Sequence, residues 1–414
     1  MSEVRQIGFL PILIVFVTFI SANQWSDLPI GNTITDWIVC FIAIGCVLWN
    51  KALYYRPCNY NDYRIVAVYF IWLIVSTIRG IFIAEDYWEG KQLVTGVLAL
   101  SLPVVVYVFS IPEILQLTLR WWVKIALPAF VLFVWFIPRD ALQYYLAPVM
   151  LLGCFLPILQ KKWKIILLFL LFLMMTDIGA RSQIIKSIVV LLIGAVYLFN
   201  KYFPVLSVRL LNLVCLIFFI VPITLLTLGI TDVFNPFDAL ASDKDKYETR
   251  VSDRGEEENI ADDTRTFLYE EVISSAVRHQ YIWMGRTPAR GNDSWSYGTD
   301  LSDAVRAPKI ERHENEVCHL NLFTWTGLIG LILYSLIYLK SSYLAINRSN
   351  NIWMKLLGVF IAFRWTFGWI EDFNRFDISN ITLWMIIAMG FSHEYRKKSN
   401  DEFEKHILGI FQFR

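Results

Sequence analysis

Residues 208–263 read VRLLNLVCLIFFIVPITLLTLGITDVFNPFDALASDKDKYETRVSDRGEEENIADD, an apolar run that gives way to an acidic one. Up to Ile230 the run holds a single charge, Arg209, and reaches the ~20 apolar residues that a bilayer-crossing helix needs. From Thr231 to Glu316 the chain stays polar for 86 residues, and apolar sequence resumes at Val317. A chain of apolar spans that suspends one such segment late in its length is built to work at a membrane surface.

Composition agrees. Hydrophobic residues make up 56% of the chain, charged residues 18%, and mean hydropathy is +0.50. The fold class expected is an all-α integral membrane protein. The formal net charge of +1 gives no sign of a nucleic-acid partner. Cys40, Cys46, Cys58, Cys154, Cys215 and Cys318 are scattered with no C-x-x-C pair, which argues against a disulfide framework or a zinc site. Arg5 precedes a short apolar run without a small-residue cleavage site, so the first helix is read as retained.

About twelve spans are expected, at 7–22, 34–49, 63–83, 93–110, 121–137, 142–159, 164–177, 182–199, 208–230, 317–339, 352–370 and 378–392. The chain then divides into spans one to nine (1–230), a loop domain (231–316), spans ten to twelve (317–392) and a tail (393–414). With the N-terminus inside, Lys51, Arg56, Arg120, Lys161, Lys162, Lys201, Lys340 and Arg348 fall on the cytoplasmic side. The short external connections hold only Lys91, Arg139, Arg181 and Arg375. That asymmetry places the loop domain outside and both termini inside. A cysteine replacing Ser294 should then label from outside, and one replacing Lys161 should not. The helices divide nine plus three, which weakens a two-halves transporter.

Within the loop domain, Asp238 to Asp263 lacks apolar periodicity and reads as a mobile flap. A helix is expected after Asp262-Asp263, with Leu268, Val272 and Ala276 as its apolar face. The rest, including Asp293-Ser294, reads as loop up to Val317. Gly285-Arg286-Thr287-Pro288-Ala289-Arg290-Gly291 lacks the Lys-Ser/Thr ending of a nucleotide loop and reads as a tight turn presenting Arg286 and Arg290.

Arg181 opens the eighth span, where unpaired N–H groups already favour an anion. Snorkelling to lipid phosphate, or pairing with Asp177, is the alternative. Arg265 stands in the first turn of the loop-domain helix, a poor place for a cation, so either an anion or Asp262 is its partner. Convergence of Arg181 and Arg265 on one anion site is expected. His313 and His319 flank Glu316 where the chain re-enters the membrane, and such groups can hold or move a proton. Arg364 lies inside the eleventh span, where charge is costly; its alternative partner is Glu371. Arg79 is a weaker case of the same kind. Glu371, Asp372 and Asp377 read as a solvated loop.

Together these features resemble the bacterial O-antigen polymerase and ligase superfamily, often called Wzy-type. The resemblance rests on about twelve spans with a large loop before the last three. It rests also on Arg181, on Arg265 followed by the Gly285–Gly291 turn, and on the run from His313 to Gly327-Leu328-Ile329-Gly330. His313-Glu314-Asn315 and His319-Leu320-Asn321 stand where the family has a His-Asn pair. The resemblance implies a metal-independent glycosyltransferase without cofactor in the bacterial inner membrane, with its active site in the periplasm. Its donor is an oligosaccharide on undecaprenyl pyrophosphate, its surroundings membrane lipid, and a chain-length regulator is a candidate partner. The reaction expected first is polymerisation of lipopolysaccharide repeat units; ligation of polymer to lipid A–core comes second, and a lipid-linked oligosaccharide flippase is the rival from another class. Arg181, Arg265, Arg286, Arg290, Arg364 and Arg79 would bind pyrophosphate or glycan, and His313, His319 or Glu316 would activate the acceptor hydroxyl.

Overall fold

The computed structural model describes residues 9–26, 31–176, 181–203, 207–231, 249–251, 257–259, 266–294 and 311–412. Its backbone is helical almost throughout. In chain order the helices are α1 Phe9–Asn23, α2 Thr33–Tyr54, α3 Tyr60–Ile83, α4 Tyr87–Phe109, α5 Pro112–Phe136, α6 Gln143–Gly153 and α7 Lys161–Met174. They continue as α8 Arg181–Tyr202, α9 Val208–Ile230, α10 Thr266–Arg278, α11 Cys318–Asn347, α12 Ile352–Phe367, α13 Ile378–Phe391, α14 His393–Lys397 and α15 Asn400–Leu408. Side-chain oxygens begin many of them: Asn32 accepts from the N–H groups of Ile34 and Thr35, Asp86 from Glu89, Asn351 from Met354 and Asp377 from Asn380. Each satisfies a donor that the first helical turn leaves over.

Among the described residues seven helices are long and apolar enough to cross a bilayer: α2, α3, α4, α5, α8, α9 and α11. This corrects the expected count of twelve. Helix is present in every one of the twelve segments, but α1, α6, α7, α12 and α13 run for only 15, 11, 14, 16 and 14 residues. Local chemistry shortens several of them. Pro148 removes a donor inside α6, which ends at Gly153, and α12 gives out at Gly368. α4 and α5 survive as spans only by passing through 3-10 and π turns at Leu102–Val104, Trp122–Ala126 and Val134–Phe136.

α11 is the hub, packing against α3, α9, α12 and α13 around Tyr334, Tyr338 and Trp384. α9 stands at the opposite extreme: it turns Leu213, Leu216, Ile217, Ile220 and Ile223 outward, with 11% of its apolar window buried. A surface of that kind suits hydrocarbon.

α11 is broken at Gly327, whose backbone (φ 68°, ψ −174°) only glycine adopts readily. The break strips carbonyls and N–H groups of their helical partners, and the loop-domain turn at 282–287 replaces them. Arg286 N–H donates to Thr324 O at 2.7 Å, and Thr287 N–H to Trp325 O at 3.1 Å. In return Leu328 N–H donates to Ile282 O at 2.8 Å and Ile329 N–H to Trp283 O at 3.3 Å. Trp72 Nε1–H completes the set on Thr326 O. The backbones lie so close that a Cβ on Gly327 would sit 2.3 Å from Trp283 O, and one on Gly285 2.5 Å from Gly327 N.

The rest of the loop domain is small. α10 buries Leu268 and Val272 against Val317 and Leu320, and Ala276 is buried as well. Asn292–Asp293 pairs antiparallel with Glu311–Arg312, a short ladder where loop was expected. Within the acidic stretch read as a flap, Thr249–Val251 and Glu257–Asn259 form an antiparallel pair. Arg265 and the Asp262-Asp263 cap lie outside the described residues. The tail is docked, with Phe403, Ile407 and Ile410 buried and Arg120 donating to Gly409 O.

Ser294 is 1% exposed, so burial would silence a label there whichever side it faces. Val277 is 61% exposed, and a cysteine at that position should label from outside while one at Lys161 does not. Gly327→Ala should lower the melting temperature in detergent sharply, since backbone strain alone costs roughly 1–3 kcal/mol. Gly45→Ala, with open space around it, should leave melting unchanged or raise it.

Candidate functional site

Four helix ends converge beside the re-entry of the chain, and each contributes one face. α6 brings Gln143, Ala147 and Met150; α8 brings Gln183 and Lys186; α12 brings Phe360 and Arg364; α13 brings Ser379, Thr382, Leu383 and Ile386. These are i, i+3, i+4 and i+7 spacings, so each set shares a side of its helix. They line an open-sided furrow of about 400 Å³, a figure that includes space shared with solvent. Its polarity is graded. Gln143, Gln183, Arg364 and Ser379 lie near the helix ends, whereas Met150, Phe360, Leu383 and Ile386 lie one or two turns deeper.

At the polar end Lys186 and Arg364 meet one carboxylate. Lys186 Nζ donates to Glu371 Oε1 at 2.7 Å and Oε2 at 2.9 Å, and to Gln143 Oε1 at 3.1 Å. Ser182 Oγ–H donates to Glu371 Oε1 at 3.0 Å. Arg364 Nη1 stands 3.7 Å from Glu371 Oε2, too far for a hydrogen bond, and finds no other acceptor among the described residues. Both amide atoms of Gln183 are likewise without partners. Burial alone would raise the Glu371 carboxyl, but Lys186 and Arg364 outweigh it and hold it below its usual range.

A smaller hollow of about 280 Å³ adjoins, lined in part by Tyr144, Asp372, Arg375 and Asp377. Asp372 accepts from Asn321 Nδ2 at 3.2 Å and from Asn374 N–H at 3.0 Å, with Arg375 at 3.9 Å. Burial pushes its carboxyl up to about 6. Asp377 caps α13, accepting from Asn380 N–H at 2.7 Å, and burial pushes it up to about 7. Glu314 reaches Arg375 at 3.8 Å and accepts from Gln92 Nε2. Trp25 and Tyr144 stack at 4.8 Å, and the Arg375 guanidinium lies over Trp25. The Glu371–Asp377 stretch is thus a built wall and not the solvated loop expected from its charges.

The expected site residues are divided by this geometry. Arg364 lines the furrow, and Arg181 begins the same helix as Gln183 and Lys186, next to Ser182. Arg79 donates to Met284 O and Gly285 O, holding the turn that docks on α11. Arg286 bonds Gly291 O and Asp293 and approaches Glu311 at 3.3 Å. Arg290 pairs with Glu311 and stands 3.5 Å from Glu89. Both arginines are turned inward on carboxylates.

Neither histidine lines the furrow or the hollow. His313 neighbours Glu311, Glu89 and Arg290, and burial lowers its proton affinity. His319 is fully buried, with Nε2 2.9 Å from Trp365 O and its ring against Trp369 at 4.6 Å. It fastens the start of α11 to the end of α12. Glu316 is exposed. Lys186 and Gln183 were not singled out from sequence; the signal was a lysine one turn inside an apolar span that already began with Arg181.

No protein-family model, curated protein or solved structure matches the chain.

The raised carboxyls have a measurable sign. Asp372 and Asp377 favour the neutral form in the fold, so their contribution to stability is complete below about pH 4 and lost as pH rises through 6 to 7. Asp377→Asn keeps a capping oxygen but cannot ionise. The difference in melting temperature between Asp377→Asn and the parent should therefore grow from pH 5 to pH 8; a constant difference would show that Asp377 is ionised throughout.

Proposed function

We propose that the chain is a repeat-unit polymerase of the O-antigen type. It moves a growing glycan from undecaprenyl pyrophosphate to the free end of an incoming lipid-linked repeat unit. The observation that carries this reading is the graded furrow: two buried cations at its mouth and an apolar floor running inward between four helices. A polyprenyl pyrophosphate has that same order of chemistry, a polyanionic head followed by a hydrocarbon chain. Lys186 and Arg364 would receive the head, with Arg181 exposed at the start of the helix that carries Lys186, and Phe360, Leu383 and Ile386 would line the first isoprene units. Cations already fixed where the pyrophosphate departs lower the barrier without reorganising.

The acceptor hydroxyl needs a group that takes a proton near neutral pH. Asp372 is a cleft-lining carboxylate with that property, and it replaces His313, His319 and Glu316 in this role. On this reading the protein lies in the bacterial inner membrane, with both termini in the cytoplasm and the furrow opening to the periplasm. Ligation of finished polymer to lipid A–core uses the same donor and is the second reading. A flippase is the third, since a buried Lys186–Glu371–Arg364 cluster also suits a gate that opens and closes.

Glycan profiling of a deletion strain separates them. Single repeats on the core indicate loss of polymerase, and lipid-linked polymer with bare core indicates loss of ligase. Lipid-linked single units confined to the cytoplasmic leaflet indicate loss of a flippase. Arg364→Lys should reduce chain elongation by purified protein at least tenfold, because lysine cannot offer a forked pair of donors to phosphate. Unchanged elongation would remove Arg364 from the site.

A further inference from the structure

The furrow mouth is short of acceptors. Arg364 is 5% exposed and its Nη1 has no hydrogen bond among the described residues; Gln183 is 3% exposed and its amide nitrogen has none among them either. A buried guanidinium carries five donors, and leaving a charged donor unpaired costs more than leaving a neutral one. The charge balance points the same way. Among the described residues Lys186 and Arg364 face one carboxylate, Glu371, at the furrow mouth. The other acids nearby have partners of their own: Asp377 the α13 N-terminus, Asp372 the Asn321 amide, Asn374 N–H and Arg375, and Glu314 Gln92 and Arg375. Glu371 itself is carried on the connection between α12 and α13, so it is held from a loop while both cations are held from helices.

We infer that Glu371 is a displaceable resident anion, holding Lys186 and Arg364 ready until the phosphate of a lipid headgroup takes its place. A phosphate has more acceptor oxygens than a carboxylate, enough to meet Lys186 Nζ, Arg364 Nη1 and Gln183 Nε2 together. The two cations would exchange one anion for another without being exposed unpaired, which matters because an isolated buried charge is severely penalised. The exchange also makes the site selective. A ligand with a single weak negative charge cannot outcompete a carboxylate already held by Lys186 and Ser182, whereas a pyrophosphate can. Binding involves no covalent step; only hydrogen-bond partners change.

This inference rests on the polyprenyl-pyrophosphate reading, so binding is measured apart from transfer, with no acceptor present. Full-length protein in detergent is titrated with undecaprenyl pyrophosphate and, separately, with inorganic pyrophosphate. Glu371→Gln keeps the side-chain shape and removes the competing charge, and should tighten binding of the lipid about tenfold. Ser182→Ala releases only one of the contacts on Glu371 and should tighten it two- to threefold; it serves if Glu371→Gln fails to fold. The double variant Lys186→Met, Glu371→Gln removes a buried cation and anion together, and should bind at least tenfold more weakly than Glu371→Gln alone. Unchanged or weaker lipid binding in both Glu371→Gln and Ser182→Ala would overturn the displacement. Equal affinity for inorganic pyrophosphate and the lipid would overturn the lipid as occupant. Tighter binding by the variants of a protein that elongates no glycan would uphold the inference and defeat the polymerase reading. Elongation by the parent with variant affinities unchanged would do the reverse.

Discussion

A helix interrupted in the middle of a bundle has to find new partners for the backbone groups it releases. At Gly327 the partners come from a segment some forty residues earlier, and the exchange is reciprocal: two N–H groups of the 282–287 turn go to α11, and two of α11 go to the turn. In an apolar surrounding each unmet group would cost several kcal/mol, so neither break nor turn is tolerable alone. This mutual need ties the loop domain to α11. Because α11 packs on α3, α9, α12 and α13, the same contact indirectly sets the helix ends that enclose the furrow.

Two glycines make the exchange sterically possible. Gly285 and Gly327 both have φ near +68°, and backbone atoms of the facing segment take the place that a side chain on either would fill. Around them the arginines of the turn serve as fasteners. Arg79 reaches from α3 to two turn carbonyls, while Arg286 and Arg290 draw Asp293, Glu311 and Glu89 inward. Burial would raise the Glu311 carboxyl, yet Arg290 and Arg286 hold it below its usual range. Charges that look in the sequence like a surface for gripping ligand are mostly spent on attaching a polar segment to an apolar bundle.

What could be read in advance was whatever depends on short-range pattern. Helices α3, α8 and α9 fall close to their expected limits because uninterrupted apolar length is a local property. Leu268, Val272 and Ala276 are buried as their spacing of four predicts. The span count was overestimated for a local reason too: apolar content persists past Gly153 and Gly368, while the helix does not. The furrow was not legible. Lys186 and Gln183 matter because α6, α12 and α13 present particular faces to them, and no single segment records which faces meet. Glu371, Asp372 and Asp377 have the composition of a solvated loop, and only the surrounding helix ends make them a wall.

Satisfaction of donors distinguishes the arginines better than position does. Arg79, Arg286 and Arg290 each have carbonyl or carboxylate oxygens within hydrogen-bonding distance, so their guanidinium groups contribute to attachment and have little to offer a ligand. Arg364 is as deeply placed as any of them and lies over the Phe373 ring, yet its Nη1 stands 3.7 Å from Glu371 Oε2 and has no hydrogen bond among the described residues. It faces a furrow whose wall holds the Gln183 amide, unpartnered among the same residues. Stability does not explain that arrangement, since an apolar side chain would fill the space at lower cost. On the proposed reading a binding surface does, because donors left over among the described residues are what a ligand's oxygens would meet on arrival.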